Sequence, residues 1–115
     1  IPRAALMAAG FLETGRFEHS ENWIGPGGTP VQLTDDAEFE SAIRVVVAVP
    51  LEDVALPGLR AVDLLHAKLR AAGDPAQRAS KRVQDLADAL ALVERDPSLR
   101  SSLEAHEAEI LARVP

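Results

Sequence analysis

Val62–Val93, VDLLHAKLRAAGDPAQRASKRVQDLADALALV, decides how this chain is read. Apolar residues recur here with a period near 3.6. Val62, Leu65, Leu69 and Ala72 form one stripe, and Val83, Leu86, Ala87, Leu90 and Val93 form another. Gly73-Asp74-Pro75 breaks the pattern between them, so the stretch predicts two amphipathic helices joined by a short turn. Polar side chains sit just off the two stripes: Lys68 on the first helix, then Lys81, Arg82, Asp85 and Asp88 on the second.

C-terminal to this hairpin, Asp96-Pro97-Ser98 ends the second helix and starts a further piece, with proline suited to a first helical turn. Leu103–Val114 reads as a last amphipathic helix, with Ile110, Leu111 and Val114 facing inward. N-terminal to it, the period changes. Val31 and Leu33 alternate with Gln32 and Thr34, which predicts a strand with one buried face. Gly25-Pro26-Gly27-Gly28 lies between this run and Asn22–Gly25, so the two read as a β-hairpin, with Trp23 and Ile24 covering the sheet. Phe11–Glu18 is a further extended segment. Ala4–Gly10 reads as a helix end with Gly10 at its C-cap. Asp35-Asp36 can cap a short helix over Ala37–Ala42. Arg44–Val49 is β-branched and continuous, as expected of a central strand, and Pro50 is expected to stop it. Leu51–Pro57 reads as a returning edge strand.

The predicted fold class is α+β: a small mixed or mostly antiparallel sheet of three to four strands, packed by a C-terminal helical subdomain. The 115 residues are read as one domain, with a sheet part over 1–59 and a helical part over 60–115. Aromatic residues make up only 3% of the chain, so the core is expected to be aliphatic.

The formal net charge of -6 argues against a nucleic-acid binder working through its whole surface, because neutralising phosphates takes clustered Lys and Arg. The charge is uneven. Arg60, Lys68, Arg70, Arg78, Lys81 and Arg82 form a basic island opposed locally only by Asp63 and Asp74. Such an island either attracts an anion or pairs with the acidic remainder. The absence of cysteine excludes disulfides, thiolate metal sites and thiol nucleophiles. No run of about 18 apolar residues occurs, which excludes a membrane-spanning helix, and a cytoplasmic location is expected.

Several local patterns have an ordinary explanation. Gly25–Gly28 lacks the Lys-Ser or Lys-Thr and the following helix that a phosphate loop needs, so it reads as a turn. His19 lies between Glu18 and Glu21 in a solvated turn. His66 reads as a packed or half-exposed helix residue, and His106 as a surface residue outside any zinc-ligand spacing. Lys81 and Asp85 are spaced as an i,i+4 ion pair. The alternative for the same residues is that Lys68 and Arg82 hold a phosphate-bearing ligand while Asp85 orients one of them.

Leu64-Leu65-His66-Ala67-Lys68 followed by Arg82-Val83-Gln84-Asp85-Leu86-Ala87-Asp88 resembles the Leu-x-x-x-Lys … Arg-x-x-Asp-x-x-Asp pattern of AbiEii-like minimal nucleotidyltransferases of bacteria. Ala8–Phe11, the Gly-rich hairpin and Thr29–Leu33 look like the later sheet strands of the same fold. The resemblance implies a nucleotide-handling ancestry, with Lys68, Lys81, Arg82 and Asp85 as candidate phosphate-site residues. It also implies magnesium and a nucleoside triphosphate as ligands wherever a site survives. In that family catalysis depends on a Gly-Gly-Ser turn and an Asp-x-Asp, and this chain contains neither; where a third carboxylate is expected it reads Val31-Gln32-Leu33. The expectation is therefore a truncated or degenerate nucleotidyltransferase-like protein without autonomous catalysis, binding nucleotide or phosphate weakly. Two alternatives stand beside it: a homodimeric interaction module, and one half of an active enzyme completed by a partner or a preceding segment. A homo-oligomer or a partner chain would meet the protein through an exposed strand edge.

Overall fold

The computed structural model of the protein describes residues 2–113. The chain divides into two compact units, 1–44 and 45–115. The boundary falls before the last two strands, so these group with the helices and not with the sheet.

In the first unit, α1 (Arg3–Ala8) leads into β1 (Leu12–Arg16), β2 (Ser20–Ile24) and β3 (Pro30–Thr34), which form an antiparallel sheet in the order β1-β2-β3. The Gly-Pro-Gly-Gly cluster makes the β2–β3 turn. Gly25 donates its N–H to the Thr29 carbonyl at 2.8 Å and Gly28 donates to Gly25 at 2.9 Å. Gly28 has φ +84°, a left-handed conformation that costs glycine little. The expected alternation holds on β3, where Val31 and Leu33 are half-buried and their neighbours exposed. Trp23 is buried, as the alternation requires. Ile24 was expected beside it but lies on the opposite face and is exposed, because successive strand residues point to opposite sides. A 3-10 turn (Ala37–Phe39) and α2 (Glu40–Ile43) follow, and the Asp36 side chain accepts from the Glu38 N–H at 3.0 Å, the expected cap.

In the second unit, β4 (Val47–Leu51) and β5 (Val54–Gly58) form a two-stranded antiparallel hairpin. This corrects the reading of Arg44–Val49 as a central strand. The strand begins at Val47, its only partner among the described residues is β5, and all of its residues are exposed. Nor does Pro50 stop it. Pairing counted from Leu51↔Val54 turns the ring nitrogen of Pro50 to the free edge, where no ladder bond is lost.

Three helices complete the unit: α3 (Ala61–Gly73), α4 (Ala79–Arg95) and α5 (Ala105–Leu111), the last preceded by a 3-10 segment (Pro97–Ser102) that Asp96 caps. Val114, expected on the last helix, lies outside the described residues. The short 74–78 connection makes α3 and α4 an antiparallel pair. Their core is wholly aliphatic: Leu65, Leu69, Ala89, Val93, Leu99 and Leu111 are buried together. Gly73 lets α5 come close, since a Cβ there would stand 2.6 Å from the Ile110 Cδ1. The fold class is thus α+β, with antiparallel strands. None of the helices among the described residues is long and apolar enough to cross a membrane.

The buried face of α4 is rotated from the expected one, though Val93 is buried and Leu86 and Leu90 pack against the core as expected. It centres on Asp85, Ala89 and Val93, spaced i, i+4, i+8, while Val83 is 67% exposed. A carboxylate occupies the centre of an apolar face.

Candidate functional site

That carboxylate is the hub of the candidate site. Lys68 and Asp85 lie about equally far from the α3–α4 turn, so antiparallel packing sets them opposite each other. The Lys68 ammonium donates to Asp88 Oδ2 at 2.8 Å and to Asp85 Oδ1 at 3.4 Å. Lys81, one turn before Asp85, donates to the same Oδ1 at 2.9 Å. Gln84 Nε2 donates to Asp88 Oδ1 at 3.0 Å. Asp85 is 1% exposed, whereas its two lysines keep part of their side chains in solvent.

Of the four residues singled out from sequence, Lys68, Lys81 and Asp85 therefore meet, with Asp88 as the fourth member. Arg82 does not join them in any ion pair among the described residues, and its Nε is shielded from solvent without a hydrogen-bond partner. Asp85 Oδ2 is likewise buried without one. The network tunes its members. The hydrogen bond to Asp88 raises the Lys68 pKa above the usual lysine range, over the opposing effect of burial. The hydrogen bonds from Lys68 and then Gln84 lower the Asp88 pKa. A carboxylate lowered on folding adds stability that is lost as pH falls through its folded value; a raised lysine adds stability that is lost as pH rises through its own. The network is at full strength between these limits, across neutral pH.

Magnesium does not fit these residues. It needs carboxylate oxygens free to turn to the ion, but Asp85 Oδ1 and both Asp88 oxygens already accept from Lys or Gln. Among the described residues no group of three or more His, Cys, Asp or Glu could hold a metal ion.

Two further ionic sites were not anticipated. His66 Nδ1 lies 2.6 Å from Glu107 Oε2, a link from α3 to α5, and Glu107 Oε1 accepts from the Glu104 N–H at 3.0 Å. Burial pushes the Glu107 pKa up, but the Glu104 N–H and His66 outweigh it and the net shift is downward. In the first unit, buried Glu21 accepts from Trp23 Nε1 at 3.1 Å and pairs with Arg3, while Arg16 forks onto Glu13 at 2.8 and 2.9 Å. The legible signals were the i,i+2 spacing of Glu21 with inward-facing Trp23, and Glu104-x-x-Glu107 before an apolar helix. His19 and His106 are exposed, as expected. A shallow open hollow of about 430 Å³ on the three-stranded sheet is lined by Thr14, Asn22, Ile24, Pro30 and Gln32 and contains none of the predicted residues.

The Glu107 shift gives a test. His66→Ala removes one of two bonds to a buried carboxylate, and a loss of about 1–2 kcal/mol is expected at neutral pH. Because the Glu107 pKa is lowered on folding, its contribution is lost as pH falls through the folded value. The wild type and His66→Ala should therefore converge in urea midpoint at acid pH; a gap that does not depend on pH would assign the loss to packing.

In comparisons with known proteins, no family model, no curated protein and no solved structure matches this chain.

Proposed function

We propose that this chain is a nucleotidyltransferase-like protein without autonomous transfer activity that binds the phosphate of a nucleotide weakly at Lys68 and Lys81. One observation carries the reading: two half-exposed ammonium groups converge on a single oxygen of a buried carboxylate. Asp85 thus holds both cations in place before any ligand arrives. An ammonium has three N–H donors. Lys68 spends two and Lys81 one within the network, so donors remain on both for phosphate oxygens. The two lysines balance the carboxylates of Asp85 and Asp88, so the cluster meets an anion through its unspent N–H donors and not through an excess of charge.

The same inventory argues for weak binding. Each ammonium is already partly neutralised, and neither offers the planar fork that makes arginine a strong phosphate ligand. The sequence has no Asp-x-Asp to hold the metal that transfer requires. On this reading the protein works in the cytoplasm, where nucleoside triphosphates are abundant.

The test is thermal stability against concentration of ATP, CTP and inorganic phosphate, with and without magnesium. A ligand that binds only the folded state with Kd of about 1 mM adds about 1.4 kcal/mol at tenfold excess, enough to raise Tm by several degrees. A saturable rise is expected, largely independent of magnesium and absent in Lys81→Ala. No rise with any of the three ligands would reject the reading.

A further inference from the structure

The β4–β5 hairpin presents a bare aliphatic face. Residues paired across an antiparallel ladder share a face, so Val47, Val49, Leu51, Val54 and Leu56 all point the same way. Each is between 42% and 60% exposed. None belongs to the helical core. An isolated two-stranded hairpin is marginal in water, and a contiguous apolar patch of this kind is uncommon on a monomer. The hairpin therefore requires a cover.

Its edges do not invite another strand. Counting from the turn-closing pair Leu51↔Val54, Pro50 and Pro57 each turn their ring nitrogen to a free edge, so each edge lacks one of its donors. A covering element must lie on the face. The charges then select the occupant. The only charged residues over 45–59 are Glu52 and Asp53, at the tip. Arg60 stands at the opposite end, 47% exposed, with Nε and Nη2 turned to Asp63 and its remaining donors available. An apolar face with two carboxylates at its tip and a guanidinium with unspent donors at its base is complementary to itself after a half-turn. Two hairpins stacked face to face and antiparallel bring the acidic tip of each to the Arg60 end of the other, where the Nη1 donors not used by Asp63 meet it, the closed arrangement of a two-fold interface. Glu52 also sits at φ 55°, where glycine would be unstrained, so the tip carries its charge at a backbone cost.

We propose that the Val47–Leu56 aliphatic face is a two-fold interface between two copies of this chain, with Glu52 and Asp53 of each copy set against Arg60 of the other. The inference is independent of the phosphate-site reading.

Sedimentation equilibrium of the full chain from roughly one to about a hundred micromolar tests it. The expected mass is twice the 12.3 kDa of one chain. Val49→Glu and Leu56→Glu should each give a monomer with unchanged helical circular dichroism, because both positions lie outside the core. Glu52→Lys with Asp53→Lys should weaken the dimer at least about tenfold, and adding Arg60→Glu should restore it. A wild-type chain that stays at the monomer mass, or a dimer that Val49→Glu and Leu56→Glu leave intact, overturns the proposal. A charge reversal that Arg60→Glu does not rescue overturns the antiparallel arrangement.

Discussion

Replacing Lys68 and Lys81 together with methionine is expected to destabilise the 45–115 unit by about 3–5 kcal/mol. Methionine keeps most of the volume of each lysine stem, so the change is chiefly the loss of two charges. Asp85 is left 1% exposed with no cation against it, and its Oδ2 already lacks a partner. A buried carboxylate in that state must either take up a proton or pull water into the α3–α4 contact, and both oppose folding. Adding Asp85→Leu to the same variant should recover most of the loss, since an uncharged side chain branched at the same carbon then continues the buried face of Ala89 and Val93. The measurement is the urea midpoint followed by helical circular dichroism, compared at constant slope. A double variant that loses less than about 1 kcal/mol would mean that the lysines do not compensate the charge of Asp85. Lys81→Ala alone should cost far less, because Lys68 stays on Asp85 and the position of Lys81 is half-exposed. That difference separates the structural part of the network from its ligand-binding part.

Asp85 also marks where the sequence stops being legible. The existence of α3 and α4, the turn between them, the Gly-rich hairpin and the alternation of β3 all follow from local patterns, because each depends on neighbours a few residues away. The rotation of α4 does not. Pattern reasoning turns every carboxylate to solvent, which placed Val83 inside and Asp85 outside. The preference reverses when cations arrive from another element, and Lys68 comes from 17 residues away. Glu107 is the same case, buried by a histidine 41 residues distant. The 44–49 run shows the opposite error. Its β-branched residues are what a central strand needs, but centrality depends on having neighbours on both sides, and among the described residues β5 is the only one. The candidate residues Lys68, Lys81 and Asp85 were legible because helical spacing and an antiparallel turn together determine who faces whom. Arg82 was not separable from them by spacing alone; it sits next to Lys81 yet makes no ion pair with the shared carboxylate among the described residues.

Trp23→Ala is the second large effect, expected at about 3–5 kcal/mol and sufficient to unfold the 1–44 unit. Trp23 is 1% exposed and is the unit's fully buried large apolar side chain; Val31 and Leu33 on the facing strand are only half-buried. A unit of this size has little apolar burial to spare. Removing the indole also strips Glu21 of the Nε1–H donor, leaving a buried carboxylate dependent on Arg3 and, at 3.9 Å, on Arg16. Trp23→Phe separates the two contributions. It retains much of the ring volume and loses the donor, so its cost should fall near the 1–3 kcal/mol of an unmade bond to a buried acceptor. Amide exchange is the decisive readout. In Trp23→Ala, protection should disappear from the β1–β3 ladder and persist in α3 and α4, whose core contains none of the sheet residues. Loss of protection in both units at once would mean that the two share a single cooperative transition, and the division of the chain at residue 44 would then be one of contacts and not of stability.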